Sequence, residues 1–217
     1  MRYDCFLFDL DGTLLDTLDD LTDAVNYALK KNGYSPRTRE EVRAFIGNGV
    51  VKLTERAIGQ EKESCENFDT VFKDFKLYYG EHCEDKTRAY EGVIELLTAL
   101  KAAGKKVGVV SNKAAFAVEK LCEAYFGELV GVAIGENESA GVKKKPAPDT
   151  VLLALKALNA KKETAVYVGD SEVDILTAKN AELPCISVSW GMKDGEFLLA
   201  NGADVLVDTP DQIEQFI

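Results

Sequence analysis

From about residue 90 onward, short apolar runs alternate with longer amphipathic segments, and this alternation limits the fold more than any other feature. The apolar runs cover residues 106–110, 130–134, 165–168 and 185–188, and the segments with helical spacing cover 93–103, 114–126, 149–159 and 173–181. Strands that alternate with helices of this length predict a parallel sheet with right-handed crossovers. An earlier apolar run, residues 3–10, ends abruptly in Asp-Gly-Thr and is predicted to be the first strand.

The segment after the first predicted strand has a different, purely helical pattern. Leu18, Leu21 and Val25 recur at spacings of three and four residues, which places them on one face of a helix. Thr38 followed by Glu41 resembles a capping box at the start of a second helix. We therefore predict an α/β fold, with a Rossmann-like parallel-sheet core from residues 1–16 and 85–217 and a helical cap domain, residues 17–84, inserted after the first strand.

The charge balance narrows the classes of partner. The 217 residues include 26 basic and 37 acidic side chains, a formal net charge of 26 − 37 = −11. Nucleic acids and anionic membranes both require clustered positive charge, so we expect neither as a partner. No apolar run approaches the roughly 18 residues of a membrane span. The five cysteines are scattered and never form a C-x-x-C pair, a usage typical of a reduced, cytoplasmic protein.

Polar residues cluster where predicted strands end, or where a loop precedes a helix. Sites in open parallel sheets form at the carboxyl ends of the strands, so these clusters are expected to converge on one crevice. The four clusters are residues 9–13 (DLDGT), 111–113 (SNK), 143–146 (KKKP) and 169–174 (GDSEVD).

The acidic members of these clusters indicate a metal site. Several aspartates cannot be crowded together as anions without a compensating cation. Hard carboxylate oxygens favour Mg²⁺, which binds through one or two carboxylates together with a substrate phosphate. The candidate ligands are Asp9, Asp11, Asp170 and Asp174.

The other polar members of the clusters suit a phosphate group. They offer donors and one positive charge, the complement of phosphate oxygens, and they are Thr13, Ser111, Asn112 and Lys145. An aspartate can also attack phosphorus directly, giving an acyl-phosphate that water later hydrolyses. Two aspartates at positions i and i+2, Asp9 and Asp11, could divide attack and proton transfer between them.

These motifs resemble those of a known enzyme family. Residues 9–17 (DLDGTLLDT) are similar to the signature of the haloacid dehalogenase superfamily of phosphohydrolases, and Ser111, Lys145 and the 169–174 cluster match its remaining motifs in order. Residues 45–50 (FIGNGV) and 169–174 are similar to the phosphoglycolate phosphatase subgroup. The resemblance covers essentially the whole chain and implies a Mg²⁺-dependent phosphatase that acts on a small phosphorylated metabolite, as a monomer or a homodimer.

The resemblance implies a role for each matching residue. Asp9 would be the nucleophile and a metal ligand, and Asp11 the general acid and then the base, with its backbone carbonyl on the metal. Ser111 and Lys145 would hold the phosphoryl oxygens, with Asn112 donating from its backbone. Asp170 would be a metal ligand, and Asp174 would bind the metal directly or through water.

The resemblance, taken together with one loop of the cap, implies 2-phosphoglycolate as the substrate. The Gly47-Asn48-Gly49 loop precedes a helix predicted to begin near Val50, so its backbone N–H groups would point toward an anion, with Arg43 as a supporting cation. A sugar phosphomutase, or a pyrophosphatase or nucleotidase on the same scaffold, are the alternatives. A phosphate-accepting receiver domain is disfavoured because it has no use for a helical insert of this length.

Some of these residues also have a purely structural reading. Charge runs are usually solvated, so Lys143 and Lys144 are expected to be surface residues, unlike Lys145. Asp174 could begin the following helix, where a carboxylate favours the helix dipole. The glycines of the 47–49 loop could reflect backbone geometry alone, and Trp190 is expected to serve packing.

Overall fold

A computed structural model describes residues 2–137 and 141–217. The chain divides into two compact units, one formed by residues 1–16 and 89–217 and the other by residues 17–88. In the described residues, no helix is both long enough and apolar enough to cross a membrane.

The first unit is built on a six-stranded parallel sheet, which confirms the predicted fold class. Its spatial order is β5-β4-β1-β6-β7-β8, and all the pairings are parallel. The strands are β1 (Cys5–Phe8), β4 (Lys106–Ala114), β5 (Val132–Glu136), β6 (Ala165–Gly169), β7 (Cys185–Val188) and β8 (Val205–Val207). The two short strands β2 (Leu15–Asp16) and β3 (Arg88–Ala89) form a separate sheet.

Helices lie between the strands of the sheet in the chain, as parallel pairing requires. They are α5 (Val93–Ala102), α6 (Ala115–Phe126), α7 (Asp149–Ala157), α8 (Glu172–Ala181) and α9 (Gly195–Ala200). Buried residues of β1, β4 and β6 pack in one cluster with Val151 and Leu155 of α7 and Ala178 of α8. This packing holds the three central strands rigidly, so the residues at their carboxyl ends are fixed relative to one another.

The second unit consists of helices. They are α1 (Leu18–Lys31), α2 (Arg39–Phe45), α3 (Val50–Ile58) and α4 (Phe68–His82), with a short 3-10 helix at Lys62–Ser64. The capping box of Thr38 and Glu41 is present at the start of α2. Buried Asp20 in α1 accepts hydrogen bonds from the backbone N–H groups of Lys86 and Thr87. These bonds tie residues 86–87 to α1, and the unit therefore ends at Arg88, beyond the predicted boundary at residue 84.

The carboxyl-terminal part of the chain contains elements that the sequence patterns did not predict. They are the six-residue helix α9, the three-residue strand β8 and a 3-10 helix at Pro210–Phe216. Each is too short to show a clear hydrophobic period, which needs a window of about 11 residues or more. Strand β4 also runs to Ala114, four residues beyond the predicted end at Val110.

Candidate active site

The central strands bring three of the predicted site residues to one edge of the sheet. Parallel pairing places the end of β1 between the ends of β4 and β6. The backbone N–H of Asp9, the first residue after β1, donates to the Val168 carbonyl of β6 at 2.9 Å. Ser111 lies in β4 and Asp170 follows β6 directly, so the sheet order sets these residues on neighbouring strands.

Lys145 connects two of the aspartates. Its ammonium nitrogen lies 2.8 Å from Asp9 Oδ1 and 2.8 Å from Asp174 Oδ1. The loop that carries Lys145 is anchored by Asn112, whose side-chain amide donates to the Lys145 carbonyl at 3.0 Å and accepts from the Lys145 N–H at 2.7 Å. Asn112 therefore uses its side chain to position Lys145, a contact that the sequence did not predict. Of the three consecutive lysines, Lys145 is buried, Lys144 is half-buried and Lys143 is exposed.

Asp170 is held from two sides. Its Oδ1 accepts a hydrogen bond from the Thr13 hydroxyl at 2.9 Å, and its Oδ2 accepts one from the Met192 backbone N–H at 2.7 Å. The residue is 1% exposed. Thr13, predicted to contact phosphate, thus contacts a candidate metal ligand in this structure.

Asp174 caps helix α8, as its sequence position suggested, and also contacts the site lysine. Its Oδ2 accepts from the Ser171 backbone N–H at 3.1 Å, which closes a capping box at the start of α8. Its Oδ1 accepts from Lys145 and from the Tyr167 hydroxyl, the latter at 3.1 Å. Both carboxylate oxygens are therefore engaged by protein donors.

Asp11 faces a lysine that the sequence analysis did not single out. The ammonium of Lys113 lies 3.1 Å from Asp11 Oδ1, and the Lys113 side chain is only 2% exposed. The Ser111 hydroxyl accepts from the Lys113 backbone N–H at 3.2 Å. The SNK cluster therefore contributes a buried cation beside the second aspartate, as well as the predicted hydroxyl group.

The crowding of charge shifts the acidity of the site. Burial, together with the charge of Asp174, raises the pKa of Asp9 well above its ordinary value, although Lys145 opposes this. The same two causes raise the pKa of Asp170 to about 7. Burial by itself would lower the pKa of Lys145, but the charges of Asp174 and Asp9 outweigh it and raise that pKa well above normal. Lys145 therefore stays protonated, while Asp9 and Asp170 resist ionisation.

The acidic cluster fits a divalent cation. Asp9, Asp170 and Asp174 each offer a carboxylate oxygen within 4.8 Å of the others. With a cation bound and all three carboxylates ionised, the ammonium of Lys145 would offset one of their charges and leave two negative charges (3 − 1 = 2) for the cation. A hard divalent ion that prefers oxygen ligands, such as Mg²⁺, matches both the charge and the donors. Asp9 and Asp170 are the better direct ligands, because each oxygen of Asp174 accepts from two protein donors, the Lys145 ammonium among them, whereas each oxygen of Asp170 accepts from one.

The predicted substrate loop lies in the helical unit. Gly47 and Gly49 have φ values of +113° and +85°, in the region that favours glycine, so backbone geometry alone accounts for both. The Asn48 side-chain oxygen accepts from the Arg56 guanidinium at 2.6 Å, and the same guanidinium donates to the Phe45 carbonyl at 2.8 Å. Arg43, the predicted cation, is exposed in the last turn of α2.

Several residues of the site were missed at the level of sequence. They are Lys113, Tyr167, Trp190 and Met192. Lys113 was adjacent to a predicted phosphate ligand, and this was the one usable signal. Tyr167 reads as an ordinary strand residue, and the contacts of Trp190 and Met192 depend on the fold of a loop.

Comparison with known proteins places the chain in a family. The model of the haloacid dehalogenase-like hydrolases matches residues 6–188. A phosphoglycolate phosphatase of Psychrobacter arcticus is 35% identical over 204 residues, which cover 88% of this chain and 85% of the relative. An N-acetylmuramic acid 6-phosphate phosphatase of Pseudomonas aeruginosa is 32% identical over 216 residues, covering 98% and 94% of the two chains.

A solved structure agrees with these relatives. The crystal structure of a Lactobacillus delbrueckii subsp. bulgaricus protein, provisionally assigned as a phosphoglycolate phosphatase, superposes with a TM-score of 0.91 at 38% identity. The similarity covers 99% of this chain and 98% of that one.

The chain belongs to the haloacid dehalogenase-like hydrolases, as its motifs predicted. It is an enzyme of the phosphoric monoester hydrolase class, similar to the phosphoglycolate phosphatases.

Proposed function

We propose that this enzyme is a Mg²⁺-dependent phosphatase that hydrolyses a small phosphate monoester through an aspartyl-phosphate on Asp9. The observation that carries the proposal is the contact of Asp9 with Lys145, 2.8 Å apart, inside a cluster that also contains Asp170 and Asp174. Phosphoryl transfer needs a carboxylate nucleophile, a buried cation that holds the phosphoryl oxygens, and a group of carboxylates that can bind a metal ion.

Asp9 and Asp170 would hold the metal ion, with the Asp11 carbonyl as a further ligand and Asp174 supporting Lys145. When bound, Mg²⁺ supplies positive charge that stabilises the phosphoryl group and keeps the carboxylates ionised. Residues of the protein bind and orient the phosphoryl group. Lys145 and the Ser111 hydroxyl hold the phosphoryl oxygens, with the Asn112 backbone N–H as a further donor.

The reaction would proceed in two displacements. In the first, a carboxylate oxygen of Asp9 attacks phosphorus, the phosphorus–ester oxygen bond breaks, and the Asp11 carboxyl group gives its proton to the leaving oxygen. In the second, the Asp11 carboxylate takes a proton from water, whose oxygen attacks the same phosphorus atom. The bond between phosphorus and Asp9 then breaks, orthophosphate leaves, and Asp11 is protonated again.

We further propose 2-phosphoglycolate as the preferred substrate. Support comes from the similarity to the Psychrobacter arcticus phosphoglycolate phosphatase and from the loop at residues 47–49, where the Asn48 side chain accepts a hydrogen bond from Arg56. A larger sugar phosphate is the second candidate, because the Pseudomonas aeruginosa relative of comparable identity acts on N-acetylmuramic acid 6-phosphate. A phosphomutase would use the same nucleophile but would return the phosphoryl group to a sugar.

A substrate panel tests these assignments. The wild-type enzyme is assayed for orthophosphate release from 2-phosphoglycolate, N-acetylmuramic acid 6-phosphate, glucose 1-phosphate, pyrophosphate and a nucleoside monophosphate, with Mg²⁺ and with EDTA. We expect 2-phosphoglycolate to give the highest kcat/KM and EDTA to abolish turnover. A tenfold preference for another compound, about 1.4 kcal/mol of transition-state binding, would contradict the substrate assignment.

The nucleophile is tested separately with Asp9→Asn. An amide cannot attack phosphorus, so release of phosphate should fall to background. Brief incubation with substrate and acid quenching should trap a phosphoryl adduct on the wild-type protein by mass spectrometry, and none on the variant. Turnover of a few percent in the folded variant would contradict the covalent mechanism.

A further inference from the structure

The loop after β7 lies directly against two elements of the active site. The indole N–H of Trp190 donates to the Thr13 carbonyl at 3.0 Å. Two residues later, the backbone N–H of Met192 donates to Asp170 Oδ2 at 2.7 Å. The 190–192 loop (Trp190-Gly191-Met192) therefore touches both the loop that follows Asp9 and the candidate metal ligand Asp170.

Gly191 lies between these two contacts and has no room for a side chain. A Cβ atom built on it would lie 2.2 Å from the Gly12 carbonyl oxygen and 2.5 Å from both the Cβ and Oδ2 atoms of Asp170. Cβ atoms essentially never approach other atoms below 3.0 Å. The φ angle of Gly191 is outside the positive range, so close approach, and not backbone conformation, requires glycine here.

The 190–192 loop completes the set of donors around Asp170. The Thr13 hydroxyl holds Oδ1 and the Met192 N–H holds Oδ2, while Trp190 anchors the backbone of Thr13 itself. Groups that hydrogen-bond a metal ligand orient it and are worth about 10- to 100-fold in metal affinity. Since Asp170 is buried and held on both oxygens, its rotamer is set before a cation arrives.

We propose that the 190–192 loop is a positioning element that fixes the Asp170 carboxylate for the divalent cation. Gly191 permits this, because without a side chain the loop backbone can lie close to Gly12 and Asp170. The inference rests on the proposed function, because it assumes that Asp170 binds the metal. Neither Trp190 nor Met192 needs to touch substrate: each acts through Thr13 or Asp170.

Binding of Mn²⁺ without substrate tests the proposal, since Mn²⁺ takes the same oxygen ligands as Mg²⁺. Free Mn²⁺ is measured by electron paramagnetic resonance during titration of the wild type, Gly191→Ala and a matched control, Gly195→Ala. At Gly195 a Cβ would meet the flexible Leu206 side chain and Ser189, outside the site. We expect Gly191→Ala to raise the Mn²⁺ dissociation constant about 10- to 100-fold, and Gly195→Ala to leave it within about twofold.

A second variant tests the positioning role of the 190–192 loop if Gly191→Ala does not fold. Trp190→Phe keeps an aromatic ring but removes the indole N–H, so the Mn²⁺ dissociation constant should rise about fivefold, the effect of one hydrogen bond. Normal Mn²⁺ affinity in whichever of these variants folds would overturn the positioning role while leaving the proposed function intact. Failure of the wild type to bind Mn²⁺ would instead refute the metal assignment on which both proposals depend.

Discussion

Tyr167 provides a hydroxyl group at the centre of the buried charge network. It lies 3.1 Å from the Lys145 ammonium, 3.1 Å from Asp174 Oδ1 and 3.3 Å from the Val110 carbonyl. Because Lys145 also contacts Asp9, the tyrosine helps to fix the direction in which the lysine points. Because its partners include both a cation and an anion, we expect the hydroxyl group to act through geometry. It orients the Lys145 ammonium toward Asp9.

The Tyr167→Phe variant removes this hydroxyl group without changing the shape of the core. We expect kcat to fall about tenfold and the inhibition constant of vanadate, a phosphate mimic, to rise by a similar factor, since hydrogen bonds to charged groups are worth about 1.5–3 kcal/mol. The Mg²⁺ concentration for half-maximal activity should not change. Tyr3→Phe, at another buried tyrosine of the same unit, is the control. Equal losses in the two variants would point to a general effect on packing.

The pairing of Asp11 with Lys113 at 3.1 Å places a cation next to the proposed proton carrier. In Asp11→Asn the nucleophile remains but the proton donor is lost, and general acid–base catalysis contributes about 10²–10⁴-fold. We expect kcat/KM to fall about a hundredfold or more for 2-phosphoglycolate and less than about tenfold for nitrophenyl phosphate, whose leaving group needs no proton. Steady-state kinetics on both substrates measure the difference. The same loss on both would rule out this role for Asp11.

At the scale of secondary-structure elements, helix α3 is hydrogen-bonded to the loop that precedes it. Arg56, in the last turn of α3, reaches back to the Phe45 carbonyl and the Asn48 side chain. The guanidinium makes both contacts with its fork of donors, which a lysine could not reproduce. The loop conformation therefore depends on a residue eight positions further along the chain than Asn48.

The Arg56→Gln variant should loosen this loop while leaving the α/β unit unchanged. We expect kcat/KM for 2-phosphoglycolate to fall about tenfold, or about 1.4 kcal/mol, with a smaller loss on nitrophenyl phosphate, which carries no carboxylate. Arg43→Gln is the matched control, because Arg43 lies in the neighbouring helix α2 and is exposed. A larger effect at Arg43 than at Arg56 would favour the cation predicted from the sequence.

At the scale of the whole molecule, the buried acidic cluster is expected to lower the stability of the metal-free protein, and the proposed metal ion to restore it. The pKa of Asp170 is about 7 in the folded protein, against about 3.9 for an unfolded chain. Between these values the folded state binds more protons than the unfolded state, so stability falls as pH rises. The metal-free enzyme should therefore lose stability between about pH 4 and pH 7, and added Mg²⁺ should restore it above pH 7 by binding the folded state.

The Asp170→Asn variant tests whether the buried charge of Asp170 lowers the stability of the metal-free protein. The amide carries no charge to bury, and it can still accept from the Met192 N–H while donating to the Thr13 hydroxyl. In EDTA at pH 8 we expect its Tm to exceed that of the wild type by at least about 3 °C, using about 2–4 °C per kcal/mol for a chain of this size. Mg²⁺ should raise the Tm of the wild type alone. A lower Tm for the variant in EDTA, measured by calorimetry, would contradict the linkage.

The sequence by itself determined the elements with a strong period. Strand β7 has the predicted bounds, Cys185–Val188, and helix α3 begins at the predicted Val50, because in each the apolar residues and the boundary signals agree. The alternation of strands and helices was sufficient for the parallel sheet, since right-handed crossovers leave few other arrangements. The polar clusters at strand ends were also visible, because a run of aspartates after an apolar strand has no role in packing.

Only the tertiary structure decided which of these groups touch. Thr13 and Asp170 are 157 positions apart and their side-chain oxygens lie 2.9 Å from each other, because the sheet order puts β6 next to β1 although four strands of the chain, β2 to β5, intervene. Tyr167 and Trp190 gave no signal, since a strand tyrosine and a loop tryptophan are ordinary packing residues until their partners are known. Local sequence patterns record which backbone conformation a segment favours and which face is apolar. The distance between a donor and an acceptor on different strands follows from how the whole sheet assembles.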